Sequence, residues 1–317
     1  MVLNILLFFV GLAGLYFGAE WLVKGATRFA RSFNIRPVVI GLTIVAFGTS
    51  TPELVTSVLA GIKHLNDLAI GNIVGSNIAN IGLILGLTAL IQPLKVDMKL
   101  IIREMPIVVG ISLLLYFMGW NGVLSRHEGM ILLGGIIAYI LYVYRMAIKE
   151  SKSVEQEYLE FEDHLGTAGN RKLKDIFFIL IGLGALVGGA HFLVNSAIYI
   201  ARVIGISELV IGLTVVAVGT SLPELATSMI AAIRKESDIS VGNVLGSNIF
   251  NILAILGLAA IIQPLQINTT SLRVDMPVMI LFAMCLIPMI TWKFVLSRFQ
   301  GVLLLIGYVA YVLWLFK

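Results

Sequence analysis

Two glutamates stand in the middle of long apolar stretches, each beside a proline and a pair of hydroxyl residues. Glu53 ends the string Gly-Thr-Ser-Thr-Pro-Glu at 48–53, and Glu224 ends the string Gly-Thr-Ser-Leu-Pro-Glu at 219–224. An ionisable side chain at mid-bilayer depth is energetically costly and therefore marks a functional site. We expect the chemistry of this chain to centre on Glu53 and Glu224.

The proline in each string interrupts the hydrogen bonding of its helix. Pro52 has no N–H to donate to the carbonyl of Gly48, and glycine itself lowers helix stability. We expect a local break that frees one or more main-chain carbonyls around Ala46 to Thr49. At membrane depth such carbonyls are tolerated where they line a cavity or meet a ligand, and hard cations prefer oxygen ligands.

Oxygen-bearing side chains recur around both glutamates at helical spacing, which places them on shared helix faces. The flanking hydroxyls are Thr49, Ser50, Thr56 and Ser57 in the first string, and Thr220, Ser221, Thr227 and Ser228 in the second. A further stripe with residues four apart comprises Asn72, Ser76 and Asn80, and again Asn243, Ser247 and Asn251. Two alternatives stay open: hydroxyls can bond back to their own helix, and Asn72, Asn77 and their copies can link helices.

The charge of the glutamate pair favours a cation as the substrate. Two facing carboxylates carry a charge of −2, which one divalent or two monovalent ions neutralise. Without a cation they would repel each other and tend to take up a proton. No intramembrane Lys or Arg lies near either string. Oxygen ligands without thiolate or imidazole favour Na⁺ or Ca²⁺ over zinc or copper, and Mg²⁺ is disfavoured because it dehydrates reluctantly.

The elements that position these residues are predicted to be membrane helices. The 317 residues are 59% hydrophobic and 13% charged, whereas soluble domains carry about 25% charged residues. Long continuous apolar runs favour helices over the alternating strands of a barrel. The candidate spans, each of at least about 18 residues, are 3–24, 37–62, 68–92, 104–121, 128–148, 175–199, 208–233, 239–263, 274–292 and 299–316.

Basic residues cluster at the ends of these segments, so the net charge of +4 reports topology and does not indicate nucleic-acid binding. With both termini outside, the inner loops hold 17 of the 22 Lys and Arg residues, and the outside keeps five. We expect a multi-pass protein of the cell (plasma or inner) membrane, with the loop 149–173 in the cytoplasm. Glu20 precedes Lys24 by one helical turn, which predicts a local ion pair.

An internal repeat organises the whole chain. A shift of 171 residues lays 36–94 on 207–265 with 35 identities in 59 positions. The chain therefore divides into a first five-helix repeat, 1–148, a linker, 149–173, and a second five-helix repeat, 174–317. Because five spans are an odd number, the second repeat must enter the membrane in the opposite orientation, as in secondary transporters with a midplane binding site. The predicted fold is an all-α membrane protein with ten transmembrane helices in two inverted five-helix repeats, in which helices 2 and 7 are broken.

The motifs Gly-Thr-Ser-x-Pro-Glu and Gly-Asn-x-x-Gly-Ser-Asn-Ile-x-Asn, each present twice, resemble the two α-repeats of the calcium/cation antiporter superfamily. The likeness is greatest to prokaryotic sodium/calcium exchangers and covers nearly the whole chain. It implies electrogenic exchange of Na⁺ for Ca²⁺, typically three for one. Some relatives, including potassium-dependent exchangers, have aspartate where this chain has Asn251. That departure argues against potassium co-transport and leaves the occupancy of the middle site open.

Matched position by position, the resemblance implies the ligands of each ion. Ca²⁺ would be held by Glu53 and Glu224 with the main-chain carbonyls of Thr49 and Thr220. Na⁺ would use the same glutamates with Ser50, Ser76, Ser221 and Ser247 and the carbonyls of Ala46 and Ala217. Asn80 and Asn251 would face the middle of the site.

The leading prediction is a secondary antiporter that exchanges Na⁺ for Ca²⁺ by alternating access at one shared central site. It is expected to act as a monomer in the lipid bilayer, to use no cofactor and not to be an enzyme. Two alternatives stay open. One is a Ca²⁺/H⁺ antiporter in which the glutamates carry protons, and the less favoured one is a cation channel with the glutamates as a selectivity ring.

Overall fold

Helices make up nearly all of the residues that the computed structural model describes, which are 1–159, 171–205, 219–291 and 293–315. The helices are α1 Val2–Ser32, α2 Pro37–Thr49, α3 Thr51–Ile62, α4 Asn66–Ile91, α5 Met98–Met118, α6 Arg126–Leu159, α7 Arg171–Val203, α8 Leu222–Ile233, α9 Ser237–Ile262, α10 Ser271–Thr291 and α11 Arg298–Leu315. The strands are β1 Leu94–Lys95, β2 Val123–Leu124, β3 Leu265–Gln266 and β4 Val295–Leu296.

The predicted class, an all-α membrane protein, is confirmed. Within the described residues, eight helices are long and apolar enough to cross a membrane, and the bent pair α2–α3 makes a ninth candidate. The predicted span 208–233 is described only from Gly219 onward, where α8 forms its end, so the count of ten stays a prediction.

The predicted linker 149–173 is partly helical, because α6 continues to Leu159 and α7 already begins at Arg171. The residues from 149 to 159 contain neither glycine nor proline, so the sequence there does not stop a helix. The middle of the linker, 160–170, lies outside the described residues.

The second span is broken, as predicted, and α2 meets α3 at an angle of 47°. The bend lies at Ser50, whose backbone angles of φ −81° and ψ 9° leave the helical range just before Pro52 in the first turn of α3. Ser221 has nearly the same angles, φ −86° and ψ 5°, just before α8. For the seventh span only the α8 side of the predicted break is described.

The helices α4 and α9 form the centre of the protein. In each of them 78% of the central residues are buried, compared with 22% in α1. Both contain a widened turn with π-helical hydrogen bonding, at Asn80–Leu85 and Asn251–Leu256. Such turns occur frequently at functional sites, and here they begin at the last asparagine of each predicted polar stripe.

The helices α1 and α7 pack against each other along much of their length through small residues. A Cβ atom on Gly182 of α7 would lie 2.6 Å from the main-chain nitrogen of Leu22 and 2.8 Å from the carbonyl oxygen of Gly18. Glycine is required at this crossing because it permits direct contact between the two helix backbones.

Ion pairs tie α1 to the turn between α8 and α9. Nε and Nη2 of Arg234 both donate to the carboxylate of Glu20, with Nε 3.0 Å from Oε2. The expected pairing of Glu20 with Lys24 is therefore wrong. Arg31 lies 3.6 Å from Glu236, where burial raises the pKa of the Glu236 carboxyl and Arg31 opposes that rise. The partner of Glu20 comes from the far half of the chain because α1 packs against α8.

Two short antiparallel strand pairs join the halves of the chain. β1 pairs with β4, with Leu94 opposite Leu296, and β2 pairs with β3, with Leu124 opposite Leu265. Leu94 and Leu265 are 171 residues apart, which is the shift of the sequence repeat. β1 and β3 are therefore equivalent segments, and the β1–β4 pair is repeated by the β3–β2 pair.

Candidate ion-binding site

Glu53 and Glu224 are both buried, with only 1% of each residue exposed. Each lies in the first turn of its helix, α3 or α8, with a proline beside it. The N-terminal end of a helix carries partial positive charge and stabilises a nearby carboxylate. The break before each glutamate therefore creates a helix start in the core of the protein, with a carboxylate placed on it.

Each glutamate accepts a hydrogen bond from a serine of the other half. The hydroxyl of Ser50 donates to Oε1 of Glu224 at 2.9 Å, and the hydroxyl of Ser221 donates to Oε1 of Glu53 at 3.4 Å. The Ser221 hydroxyl also lies 3.5 Å from that of Ser76 on α4. These contacts bring the two predicted strings into one cluster between the halves.

Asn72 and Asn243 link helices. Nδ2 of Asn72 donates to Oγ of Ser57 at 2.9 Å and to the carbonyl oxygen of Glu53 at 3.4 Å. Asn243 repeats these bonds with Oγ of Ser228 at 3.0 Å and the carbonyl oxygen of Glu224 at 3.3 Å. Of the two roles that the sequence left open, these contacts correspond to bonds between helices that fix α3 on α4 and α8 on α9.

The hydroxyl of Thr49 is engaged with other polar atoms of the protein. Its Oγ1 lies 3.0 Å from Oδ1 of Asn243 and 3.3 Å from the carbonyl oxygen of Ala46. Thr49 and Ala46 are both fully buried at the end of α2. The Ala46 carbonyl oxygen also accepts from the main-chain N–H of Ser50 at 3.0 Å, so it already has a partner in the protein.

Several buried oxygens of the predicted site residues have no hydrogen-bond partner among the described residues. They are Oε2 of Glu53, Oε2 of Glu224, Oδ1 of Asn80, Oδ1 of Asn251, Oγ of Ser247 and Oγ1 of Thr220. A buried polar atom without a partner is costly, and each such atom in a native protein requires an explanation. A cation bound among them would supply the missing partner.

The donor set suits a hard cation. Within the described residues no group of three or more His, Cys, Asp or Glu side chains is arranged to hold a metal ion. The candidate ligands are two carboxylates together with neutral hydroxyl, amide and carbonyl oxygens, which Na⁺ and Ca²⁺ accept. The ion pairs of Glu20, Arg31 and Arg36 lie elsewhere in the described structure.

The structure buries nearly all of the predicted site residues, and hydrogen bonds join Ser50 to Glu224 and Ser221 to Glu53 and Ser76. The buried ones are Glu53, Glu224, Thr49, Ser50, Ser221, Ser76, Ser247, Asn80, Asn251 and Ala46. Thr220 is half-buried, and Ala217 lies outside the described residues. Sequence reasoning left open a role for Asn77 and Asn248 as links between helices but did not include them among the site residues; both contact the stripe asparagines. Their place inside the Gly-Ser-Asn-Ile-x-Asn motif is the only signal that pointed to them.

The comparison with protein families decides what kind of protein carries this cluster. A family model described as "Sodium/calcium exchanger protein" matches residues 3–146 and 174–317. The chain belongs to the sodium/calcium exchanger family. The two matched stretches correspond closely to the two halves of the sequence repeat, and the predicted membership is confirmed.

Relatives within this family are similar over their whole length. The sodium/calcium exchanger MaX1 of Methanosarcina acetivorans is 36% identical over 347 residues, covering 100% of this chain and 99% of the relative. The putative antiporter CaxA of Alkalimonas amylolytica is 38% identical over 311 residues, covering 97% of each. A solved structure of the sodium-calcium exchanger NCX_Mj, soaked with Na⁺ and Ca²⁺, matches with a TM-score of 0.86 and 33% identity, over 99% of this chain and 98% of that one.

Proposed function

We propose that this protein is a secondary antiporter that exchanges Na⁺ for Ca²⁺ across the membrane at one central site. The observation that carries this function is the pair Glu53 and Glu224, buried between the halves and each with one carboxylate oxygen lacking a partner. Relatives that are named sodium/calcium exchangers and align over the whole chain support the choice of ions.

Exchange follows from competition for the same oxygens. The two carboxylates carry a charge of −2, which one Ca²⁺ or two Na⁺ neutralise, so the two ions exclude each other from the site. A third Na⁺ would add a net positive charge to the Na⁺-loaded form, and transport would then move charge. The neutral oxygens of Asn80 and Asn251 are the candidates for accommodating that additional ion.

The ligand assignment is part of this proposal. Ca²⁺ is held by the carboxylates of Glu53 and Glu224 and the carbonyls of Thr49 and Thr220. Na⁺ uses both glutamates with Ser50, Ser76, Ser221 and Ser247 and the carbonyls of Ala46 and Ala217. The mirrored bonds of Ser50 and Ser221 across the halves support one shared site over two separate ones.

Alternating access is the transport mechanism that we infer from the division of the chain into two inverted repeats. The division into repeats 1–148 and 174–317 around the linker 149–173 places equivalent residues on both sides of the site. A site between two inverted halves can open to either side of the membrane as one half moves against the other. The mirrored strand pairs and asparagine bonds support this division.

The test is ion flux in vesicles reconstituted with the purified protein. We expect Ca²⁺ uptake that requires an opposing Na⁺ gradient and that responds to an imposed membrane potential. Ca²⁺ uptake that does not depend on Na⁺ but is driven by a pH gradient would show Ca²⁺/H⁺ exchange instead of the proposed function. Channel-scale currents that need no counter-ion would overturn both kinds of antiport. Adding K⁺ on either side is expected to leave the rate unchanged.

The orientation in the cell membrane is a further part of the proposal. The Lys and Arg distribution places both termini outside and residues 149–173 in the cytoplasm. Reporter domains that are active on only one side of the membrane, fused to the N-terminus or inserted near residue 165, test it. Activity of the N-terminal reporter in the cytoplasm would reverse this topology. The protein is expected to act as a monomer, which light scattering of the detergent-purified protein checks.

A further inference from the structure

Four buried asparagines form a closed network at the contact between α4 and α9. Each of Asn77, Asn80, Asn248 and Asn251 is 1% exposed. Asn77 and Asn248 contact each other across the interface, because Nδ2 of each lies 3.4 Å from the main-chain carbonyl oxygen of the other. Nδ2 of Asn77 also lies 3.7 Å from the sulfur of Met279.

The other two asparagines donate into this pair. Nδ2 of Asn80 donates to Oδ1 of Asn248 at 2.9 Å, and Nδ2 of Asn251 donates to Oδ1 of Asn77 at 2.9 Å. The bonds are repeated with the 171-residue shift, so each half contributes one asparagine of each kind.

The chemistry of these contacts determines which way every amide points. A main-chain carbonyl oxygen only accepts, so Asn77 and Asn248 must turn their NH₂ groups toward each other's backbone. Their Oδ1 atoms then face Asn251 and Asn80, and an oxygen accepts only from a donor. Asn80 and Asn251 must therefore present their NH₂ groups to these oxygens.

The consequence is that the amide oxygens of Asn80 and Asn251 face away from the network. Both Oδ1 atoms are buried and have no hydrogen-bond partner among the described residues. The oxygen and NH₂ ends of a free asparagine amide are nearly equal in size, but only the oxygen attracts a cation. An NH₂ group in the same place would repel it.

We propose that Asn77 and Asn248 are positioning residues for cation binding: Asn248 orients Asn80, and Asn77 orients Asn251, so that each presents its oxygen to the ion site. This assignment rests on the proposed central cation site but not on the direction or coupling of transport. It also gives a neutral residue at position 251 a defined role as a ligand.

The alternative is that Asn77 and Asn248 only hold α4 against α9. The two roles differ in what a second substitution does. Aspartate at position 80 has oxygen at both ends, so its orientation no longer matters to a cation. If Asn248 acts by orienting Asn80, its removal will cost no cation affinity once position 80 is aspartate, and it will also relieve the contact between the aspartate and Oδ1 of Asn248.

The experiment measures cation affinity with purified protein in detergent, by titrating Ca²⁺, and separately Na⁺, and following thermal unfolding. We expect Asn248→Leu to weaken binding of at least one of the two cations about tenfold or more, as removal of an outer-shell partner does. Adding Asn248→Leu to the Asn80→Asp variant is expected to lower affinity by less than about twofold, within the error of such a titration. Comparing Asn80→Asp with the double variant holds the added charge constant.

The second stripe asparagine provides the matched control. Adding Asn248→Leu to the Asn251→Asp variant is expected to keep its full effect, because the side chain of Asn248 accepts from Asn80, whereas the side chain of Asn251 donates to Asn77. Asn77→Leu provides the mirrored set. Its effect is expected to disappear in the Asn251→Asp variant and to persist in the Asn80→Asp variant.

Two results would overturn the proposal while leaving the proposed exchange in place. One is unchanged affinity for both cations in Asn248→Leu and Asn77→Leu, with only a lower melting temperature in the absence of ions. The other is an equal loss of affinity in both aspartate backgrounds. A wild-type protein that binds neither Na⁺ nor Ca²⁺ would overturn the central site itself, and the positioning role with it.

Discussion

The hydroxyl of Ser50 donates to Oε1 of Glu224 at 2.9 Å, although Ser50 lies only three residues before Glu53 in the sequence. Ser221 makes the mirrored contact with Glu53 at 3.4 Å. Each carboxylate is thus hydrogen-bonded by the serine at the helix break of the other half. An ion bound at one glutamate therefore acts on both halves, which is what a shared site requires.

Loss of the Ser50 hydroxyl tests this contact between the halves. A hydrogen bond to a charged group contributes about 1.5–3 kcal/mol, so we expect Ser50→Ala to weaken Na⁺ binding by at least about tenfold. Na⁺-dependent Ca²⁺ uptake at varied Na⁺ concentration measures the change. Thr51→Ala is the neighbouring control, because Thr51 bonds to the carbonyl of Phe47 in its own span. A similar effect of both variants would argue against the contact.

Neutralising either glutamate tests the charge count of the site. We expect Glu53→Gln and Glu224→Gln each to reduce Ca²⁺ transport on the order of a hundredfold or more, since each removes a charged ligand from an ion of charge +2. Glutamine keeps the size of the side chain, so the elution profile in detergent is expected to stay that of the wild type.

Asp67→Asn serves as the control for this pair, because Asp67 is an exposed carboxylate at the start of α4. We expect that variant to transport at nearly the wild-type rate. Retained Ca²⁺ transport in either glutamine variant would mean that the site lies elsewhere.

Ion binding is expected to stabilise the folded protein. A ligand that binds only the folded state at a hundred times its Kd contributes about 2.7 kcal/mol. We therefore expect Ca²⁺ to raise the melting temperature of the purified protein, and a chelator to reverse the rise. Na⁺ is expected to shift the Ca²⁺ titration to higher concentration because both ions use the same oxygens. A Ca²⁺ response in Glu53→Gln equal to that of the wild type would contradict this.

The contact between α1 and α7 provides a prediction on stability. A methyl group on Gly182 would meet the backbone of α1 at 2.6–2.8 Å, so we expect Gly182→Ala to destabilise the protein by about 1–3 kcal/mol through overpacking. Gly184→Ala, on the same helix, meets no heavy atom of the described residues within 4 Å and is expected to be nearly neutral. Thermal unfolding of both variants decides it, and equal melting temperatures would contradict the close packing.

Much of the candidate site was predictable from local pattern. Hydropathy indicates membrane helices because each span must bury its own backbone in lipid. Pro52 and Gly48 predict the break in the second span because proline lacks an N–H, and the 171-residue repeat predicts a second copy of everything around Glu53. The ligand class follows from oxygen-bearing residue types alone.

Other features depend on how distant segments pack. Glu20 binds Arg234, 214 residues away, and not Lys24 on its own helix, because the neighbour of a side chain is set by the packing of α1 on α8. Helical spacing alone suggested the nearer partner. α6 also continues to Leu159, inside the predicted linker. Hydropathy indicates where a span leaves the membrane but not where its helix ends.

The amino-acid sequence identifies an integral membrane protein of two related halves and predicts a pair of glutamates that bind a cation. Residue type, hydropathy and spacing are properties of the chain order and do not depend on how distant segments pack. Only the tertiary structure decided that Ser50 holds Glu224, and that Asn248 and Asn77 turn the amide oxygens of Asn80 and Asn251 out of their network. Those relationships depend on the rotation of each helix and on the direction of each amide, and both are settled only when α4 and α9 pack together.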